Sequence, residues 1–180
     1  MAKSRRLDLK TLHAGCPGIT PSVGTSLAEA GAVCLTERGH QRGVRLNVKG
    51  SFNSTFSLDW EEVTEQTKRC WNDHEVATEH GACGIACLLV FELTDFTIIR
   101  RSRKGTGFDY WIGHQEQEND LIFQDKARLE VSGIREGDEN SIRARVKKKL
   151  RQTERSDGSL PAYIIVVEFG NPLAQMAVRS

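Results

Sequence analysis

Two segments, Gly105-Thr106-Gly107-Phe108-Asp109-Tyr110-Trp111 and Ala127-Arg128-Leu129-Glu130-Val131-Ser132-Gly133-Ile134, decide how this chain is read. Both are rich in aromatic, β-branched or aliphatic residues and bounded by glycine, which predicts two strands. Each carries one carboxylate in its middle, Asp109 in the first and Glu130 in the second. In the second strand, alternation puts Ala127, Leu129 and Val131 on one face and Arg128, Glu130 and Ser132 on the other. A carboxylate buried without a partner costs several kcal/mol or is forced neutral. Two such acids on neighbouring strands can share one divalent ion, which removes repulsion and desolvation together. Alternatively each acid pairs with a nearby arginine or lysine. On these strands alone both readings stand open.

Working outward, Thr94 to Arg101 predicts a strand through Phe96, Ile98 and Ile99. The polar span Gly113 to Asp125 is too long for a tight hairpin. A helix is expected from Ser141 to Arg155, with a narrow apolar seam of Ile142, Val146 and Leu150 among basic residues. Ala162 to Val167 is a continuous β-branched run, as in a strand buried on both faces, and Leu173 to Val178 suggests a last strand. Upstream, Glu75 to Phe91 reads as a long helix with a stripe of Val76, Glu79, Cys83, Ala86, Cys87 and Val90. Glu75 suits the first turn of that helix; Glu79, inside the stripe, has no such explanation. Asp59 and Glu62 resemble a capping box for a shorter helix bearing Trp60, Val63, Thr67, Cys70 and Trp71. Ser22 to Arg38 predicts a helix ended by Gly39, and Val44 to Val48 a short strand. Residues 1–23 read as an extended arm or loops. Gly50 to Ser54 is the best candidate boundary or turn. This divides the chain into an N-terminal α+β extension, 1–54, and a core, 55–180.

The chain has 180 residues, 38% hydrophobic and 27% charged, with net charge +1, and is long enough for a real core. No apolar run approaches the roughly 20 residues that cross a bilayer, and the basic start lacks the apolar segment of a signal peptide. A cytoplasmic protein is expected. The five cysteines are odd in number and scattered, against a disulfide framework. His80, Cys83 and Cys87 can share a helical face, but without a C-x-x-C pair, buried thiols are the better account than zinc. Near-zero net charge does not announce a nucleic-acid partner. Two basic clusters stand out, Arg100, Arg101, Arg103 and Lys104, then Arg143, Arg145, Lys147, Lys148, Lys149 and Arg151.

The order helix, strand, strand with Asp109, strand with Glu130, basic helix and buried strand over residues 74–168 resembles the core of the PD-(D/E)XK, or restriction-endonuclease-like, superfamily. The resemblance implies an α/β fold with a mixed central sheet flanked by helices. It implies Asp109 and Glu130, with the carbonyl of Val131, as ligands of Mg²⁺ or Mn²⁺, and Glu79 as the acid of the first core helix. The chain departs from the pattern at Phe108, where proline is usual, and at Ser132, where the signature has lysine. That lysine stabilises negative charge as water attacks the phosphate. Arg128, or Lys147 or Lys148 from the following helix, would have to supply the cation. Arg100, Arg101, Arg103, Lys104, Arg143 and Lys148 are then the expected nucleic-acid-binding surface, which carries affinity without sequence specificity.

The implied activity is metal-dependent phosphodiester hydrolysis, on DNA over RNA. The partners expected are nucleic acid, other proteins of a larger complex and a second copy of the chain. The competing class is a catalytically inactive scaffold or nucleic-acid-binding subunit of the same fold, which Ser132 favours. A third is an unrelated α/β domain whose two acids are salt-bridged. No P-loop, G-x-S-x-G elbow or dinucleotide fingerprint supports another enzyme class.

Overall fold

The computed structural model describes residues 5–114, 127–156, 158 and 160–180. Its centre is one eight-stranded mixed sheet. In chain order the strands are β1 (Arg5–Asp8), β2 (Val44–Gly50), β3 (Ser54–Asp59), β4 (Thr97–Arg101), β5 (Tyr110–Gly113), β6 (Ala127–Ile134), β7 (Ala162–Glu168) and β8 (Leu173–Arg179). Across the sheet they lie in the order β1-β3-β2-β8-β7-β6-β5-β4. The helices are α1 (Pro21–Glu37), α2 (Glu65–Cys70), α3 (His74–Leu93) and α4 (Glu139–Thr153). β4 and β5 are antiparallel, as are β5 and β6, whereas β6 and β7 are parallel with α4 as the crossover between them.

The sheet is buried on both faces where it matters. On one face, α1 and α3 pack against Leu129, Val131, Ile165, Val167, Ala174 and Met176. On the other, the seam of α4, Ile142 with the partly buried Val146 and Leu150, covers Ala162, Ile164 and Val166. Two-sided burial explains the unbroken aliphatic run of β7, since a strand facing only one core alternates. The seam leaves Arg143, Lys147 and Lys148 exposed on the outer side of α4. By length and composition α3 is apolar enough to cross a membrane, yet most of it is buried inside the fold. Its glycines are packing contacts, since a Cβ at Gly81 would meet Gly31 and one at Gly84 would meet Leu27, and Cys87 is fully buried.

Several local expectations are corrected. Asp59 does not cap a helix: it is the last residue of β3, opposite Asp8 of β1, and pairs with Arg6 at 2.8 Å. The short helix starts later, where the Thr64 hydroxyl accepts from Thr67 N–H at 3.1 Å. The N-terminal arm is ordered into β1 and a 3₁₀ turn, Leu9–Ala14, because Leu7, Leu9 and Leu12 are apolar enough to be drawn into the core. Of the two readings of Gly50 to Ser54, it is the turn of the β2–β3 hairpin, and β2 pairs directly with β8. Gly105 and Gly107 have positive φ of 91° and 83°, so the first key strand does not run from Gly105 but begins at Tyr110. Thr94 ends α3, its hydroxyl and N–H both donating to the Val90 carbonyl, which delays β4 to Thr97. Most of the polar span Gly113 to Asp125 lies outside the described residues.

Where α1 and α3 cross, glycine meets glycine. A Cβ built on Gly81 would stand 2.9 Å from the Gly31 Cα and 3.0 Å from its backbone nitrogen. Backbone atoms cannot swing aside, so the two helices would have to separate. Gly81→Val is expected to lower unfolding free energy by about 2 kcal/mol, although replacing a mid-helix glycine ordinarily helps. Urea denaturation checks this; unchanged or raised stability would mean the crossing is not tight.

Candidate active site

The end of β6 gathers the chemistry. Asp109 sits one residue before β5 and still belongs to the ladder, since its N–H donates to the Leu129 carbonyl at 2.9 Å. Its Oδ2 accepts from the Val131 N–H at 2.8 Å. In a strand, the N–H and C=O of one residue point to the same edge. The Val131 carbonyl is therefore directed to the edge where β5 has given way to Asp109.

Glu130 points to the face of the sheet that α4 covers, its side chain only 2% exposed. Lys149 Nζ lies 2.5 Å from Glu130 Oε1, and Gln152 Nε2 donates to the same oxygen at 3.1 Å. Burial, then the neighbouring Asp109 charge, raises the Glu130 pKa from 4.5 to about 7, while the hydrogen bond from Lys149 works in the opposite direction. The two acids thus share one side of the sheet, near enough that the Asp109 charge opposes ionisation of Glu130.

One turn back along α4, Arg145 Nη1 donates to Ser132 Oγ at 2.8 Å, with the Gly133 carbonyl at 3.4 Å. Asp138 caps α4 by accepting from the Ser141 N–H at 2.7 Å, which fixes the register that brings residues 145 and 149 over β6. A cavity of about 190 Å³ opens between these elements, lined by Asp109, Ser132, Arg145, Lys149, Arg101 and Glu79 among others. Cys83 and Tyr110 form its inner wall. Burial, and next the Asp109 charge, pushes the Cys83 thiol up to about 12, so it stays protonated; burial raises the Tyr110 hydroxyl further.

The sequence-predicted residues divide as follows. Asp109, Glu130 and Val131 come together. Glu79 lines the same cavity but is exposed at its rim. Among the described residues no three His, Cys, Asp or Glu side chains are gathered closely enough to hold a metal ion by themselves. Arg128 is buried and spent elsewhere: it donates to the carbonyls of Thr153, Ser156 and Leu160 at 2.8–3.0 Å, which ties the end of α4 to the sheet. Lys147 and Lys148 face outward, and Lys149 stands where one of them was expected. Arg101 reaches the cavity and also lies over the Tyr110 ring, 5.7 Å from its centroid. Arg100 lies over Trp111, and Arg103 and Lys104 are exposed in the β4–β5 hairpin. In the sequence Arg145 stands only within a basic run and Lys149 only as one of the 147–149 lysines that could supply the cation; their position beside the apolar seam is the signal that singles them out. No protein-family model matches the chain, and comparisons with curated proteins and with solved structures give no match.

A glutamate whose folded pKa exceeds its unfolded one binds more protons in the native state. Its contribution to stability is fully present below the ordinary value of 4.5 and is lost as pH rises through about 7. Relative to Glu130→Gln, the wild type should therefore lose on the order of 3 kcal/mol across that window. Denaturation of both proteins over a pH series measures this; a constant difference between them would show that Glu130 titrates alike in the folded and unfolded protein.

Proposed function

We propose that the protein is a metal-dependent, nuclease-like enzyme that hydrolyses phosphodiester bonds in nucleic acid, with DNA favoured through the superfamily resemblance. The observation that carries this reading is the meeting of Asp109, Glu130 and Lys149: Asp109 and Lys149 line one cavity, and Glu130 lies buried directly behind them, bonded to Lys149. The order α3-β4-β5-β6-α4-β7, with three antiparallel strands and a parallel fourth, supports a restriction-endonuclease-like core.

The residues fit a hard divalent cation. Two carboxylates and the Val131 carbonyl form an all-oxygen set suited to Mg²⁺ or Mn²⁺. Burial, then the Asp109 charge, raises the Glu130 pKa, and a bound cation would relieve the second of these. When bound, the metal supplies Lewis-acid polarisation of the phosphate and of the attacking water. Asp109, Glu130 and the Val131 carbonyl hold it. Lys149, fixed on a rigid helix, presents positive charge where negative charge grows on the phosphate. Glu79 borders the entrance, and the exposed face of α4 carries the nucleic-acid backbone.

Purified protein should cut DNA with Mg²⁺ or Mn²⁺ and stop on chelation. Asp109→Asn and Glu130→Gln, which keep shape and hydrogen bonding, should abolish cutting, and Lys149→Met should lower the rate by about a hundredfold. The short Lys149–Glu130 pair also fits a second reading, in which it is a permanent strut and the protein a non-catalytic nucleic-acid-binding subunit. Absence of cleavage with every metal and nucleic acid tried, with binding intact in both acid variants, would establish that reading instead.

The α4 surface makes its own prediction. Arg143, Lys147 and Lys148 are exposed, and among the described residues Arg143 pairs with the exposed Glu139. Removing the charges of Lys147 and Lys148 should weaken binding to all sequences alike. It should also reduce the slope of log affinity against log salt by about 1 to 2. Titration at several salt concentrations reads both effects, and an unchanged slope would return this face to plain solvation.

A further inference from the structure

Arg145 is the one cation of α4 that turns inward without meeting a carboxylate. Arg143 pairs with Glu139, and Lys149 with Glu130. Lys147, Lys148 and Arg151 are exposed to solvent. Arg145 is partly buried, and among the described residues it makes no ion pair; its bonds go from one nitrogen to a neutral hydroxyl and a neutral carbonyl. A guanidinium has five donors in a planar fork suited to phosphate. A partly buried one normally has an anion beside it, since charge left uncompensated away from water is costly. Here the residue lines both the 190 Å³ cavity and an adjoining groove of about 430 Å³, which share Glu79, Gly133 and Arg145 as their common wall.

We infer that Arg145 is a phosphate-binding residue, held in place by Ser132, and that its missing counter-ion is a phosphate of the nucleic-acid backbone entering this cavity. The inference rests on the phosphodiester reading for the identity of the ligand, but it concerns binding and not cleavage. Ser132 is then a positioning residue. Its hydroxyl anchors the guanidinium over the end of β6, so the serine does not leave a void. Lys149 answers the Glu130 carboxylate, and Arg145 answers the incoming phosphate. Glu79 and Asp109 in the cavity, and Glu75 and Glu136 in the groove, oppose an anion; Arg101 and Lys149 offset them in the cavity and Arg135 in the groove, so the phosphate is held by the Arg145 fork and not by net charge.

The test uses the full chain in a chelator, so that no cleavage occurs, with inorganic phosphate and a fluorescently labelled oligodeoxynucleotide as probes. Phosphate should raise the melting temperature of the wild type, and Arg145→Ala should abolish that shift and weaken oligonucleotide binding about tenfold or more. Arg145→Lys, which keeps charge but loses the fork, should retain part of both. Ser132→Ala, which keeps the arginine and loses its anchor, should weaken binding less than Arg145→Ala while leaving the salt dependence intact. Melting temperatures without phosphate separate lost folding from lost binding. Wild-type indifference to phosphate would overturn the inference, as would a folded Arg145→Ala variant that binds both probes like the wild type; Arg145 would then be only a tether between α4 and β6. If the wild type never cleaves but phosphate binding depends on Arg145, the inference stands and the nuclease reading falls. If the wild type cleaves and Arg145→Ala binds and cleaves equally well, the reverse holds.

Discussion

Everything near this site answers to one constraint: a carboxylate at position 130 lies inside a sheet that is covered on both faces. Burial alone opposes its ionisation, and Asp109 opposes it further. An aliphatic residue would fill the same volume without either cost, and replacing buried charge by well-packed apolar side chains is often neutral or stabilising. The surrounding structure instead supplies a lysine, a glutamine and a backbone N–H to hold the pair of acids. That is much polar apparatus for a strand whose neighbour, β7, is packed with isoleucine and valine. Strained electrostatics of this kind concentrate at functional sites.

The fold sets the acids where it does by a change of pairing. Among the described residues β5 pairs with β6 from Tyr110 to Ile112, and beyond Leu129 the β5 edge of β6 is left to Asp109. On the opposite edge the parallel ladder with β7 continues to Ile134. One edge of the strand is closed and the other open, and the cavity forms at the opening. Gly133 keeps it narrow: a Cβ there would come within 2.5 Å of the Thr78 carbonyl oxygen, so β6 and α3 touch backbone to backbone just past the acids.

Much of this was legible in the sequence because it followed from short-range regularities. The limits of β6, the length of α3, the seam of α4 and the two-sided burial of β7 all come from periodicity and turn residues. What was not legible depended on contacts distant in sequence. Nothing local to Leu7 and Leu9 says that β1 will pair with β3, about fifty residues on. Asp59 has the chemistry of a helix cap, and only the neighbouring β1 makes it a strand end paired with Arg6. Arg128 shares a face with Glu130 and was a reasonable substitute cation, but the turn after α4 presents three carbonyls that absorb its guanidinium. Which of three consecutive lysines faces inward is a question of helix phase. With about 100° per residue, Lys149 falls on one flank of the Val146 seam and Lys147 on the other, while Lys148 points away.

The same geometry explains how position 132 can be serine. Side chains two apart on a strand are about 6.6 Å apart along it; side chains four apart on a helix are about 6 Å apart. Those spacings nearly match, so a helix laid along a strand can oppose it two residues to four. α4 does this in the antiparallel sense: Arg145 meets Ser132, Lys149 meets Glu130, and Arg128 meets the carbonyl of Thr153. A lysine at 132 would point into space already held by Arg145. On the proposed nuclease-like reading, the positive charge stands on the helix without displacing the acids, because the helix is a crossover fixed over the strand at both ends. Asp138 fixes one end through its cap and Arg128 the other. The serine is better understood as one half of a strand–helix contact than as the loss of a lysine.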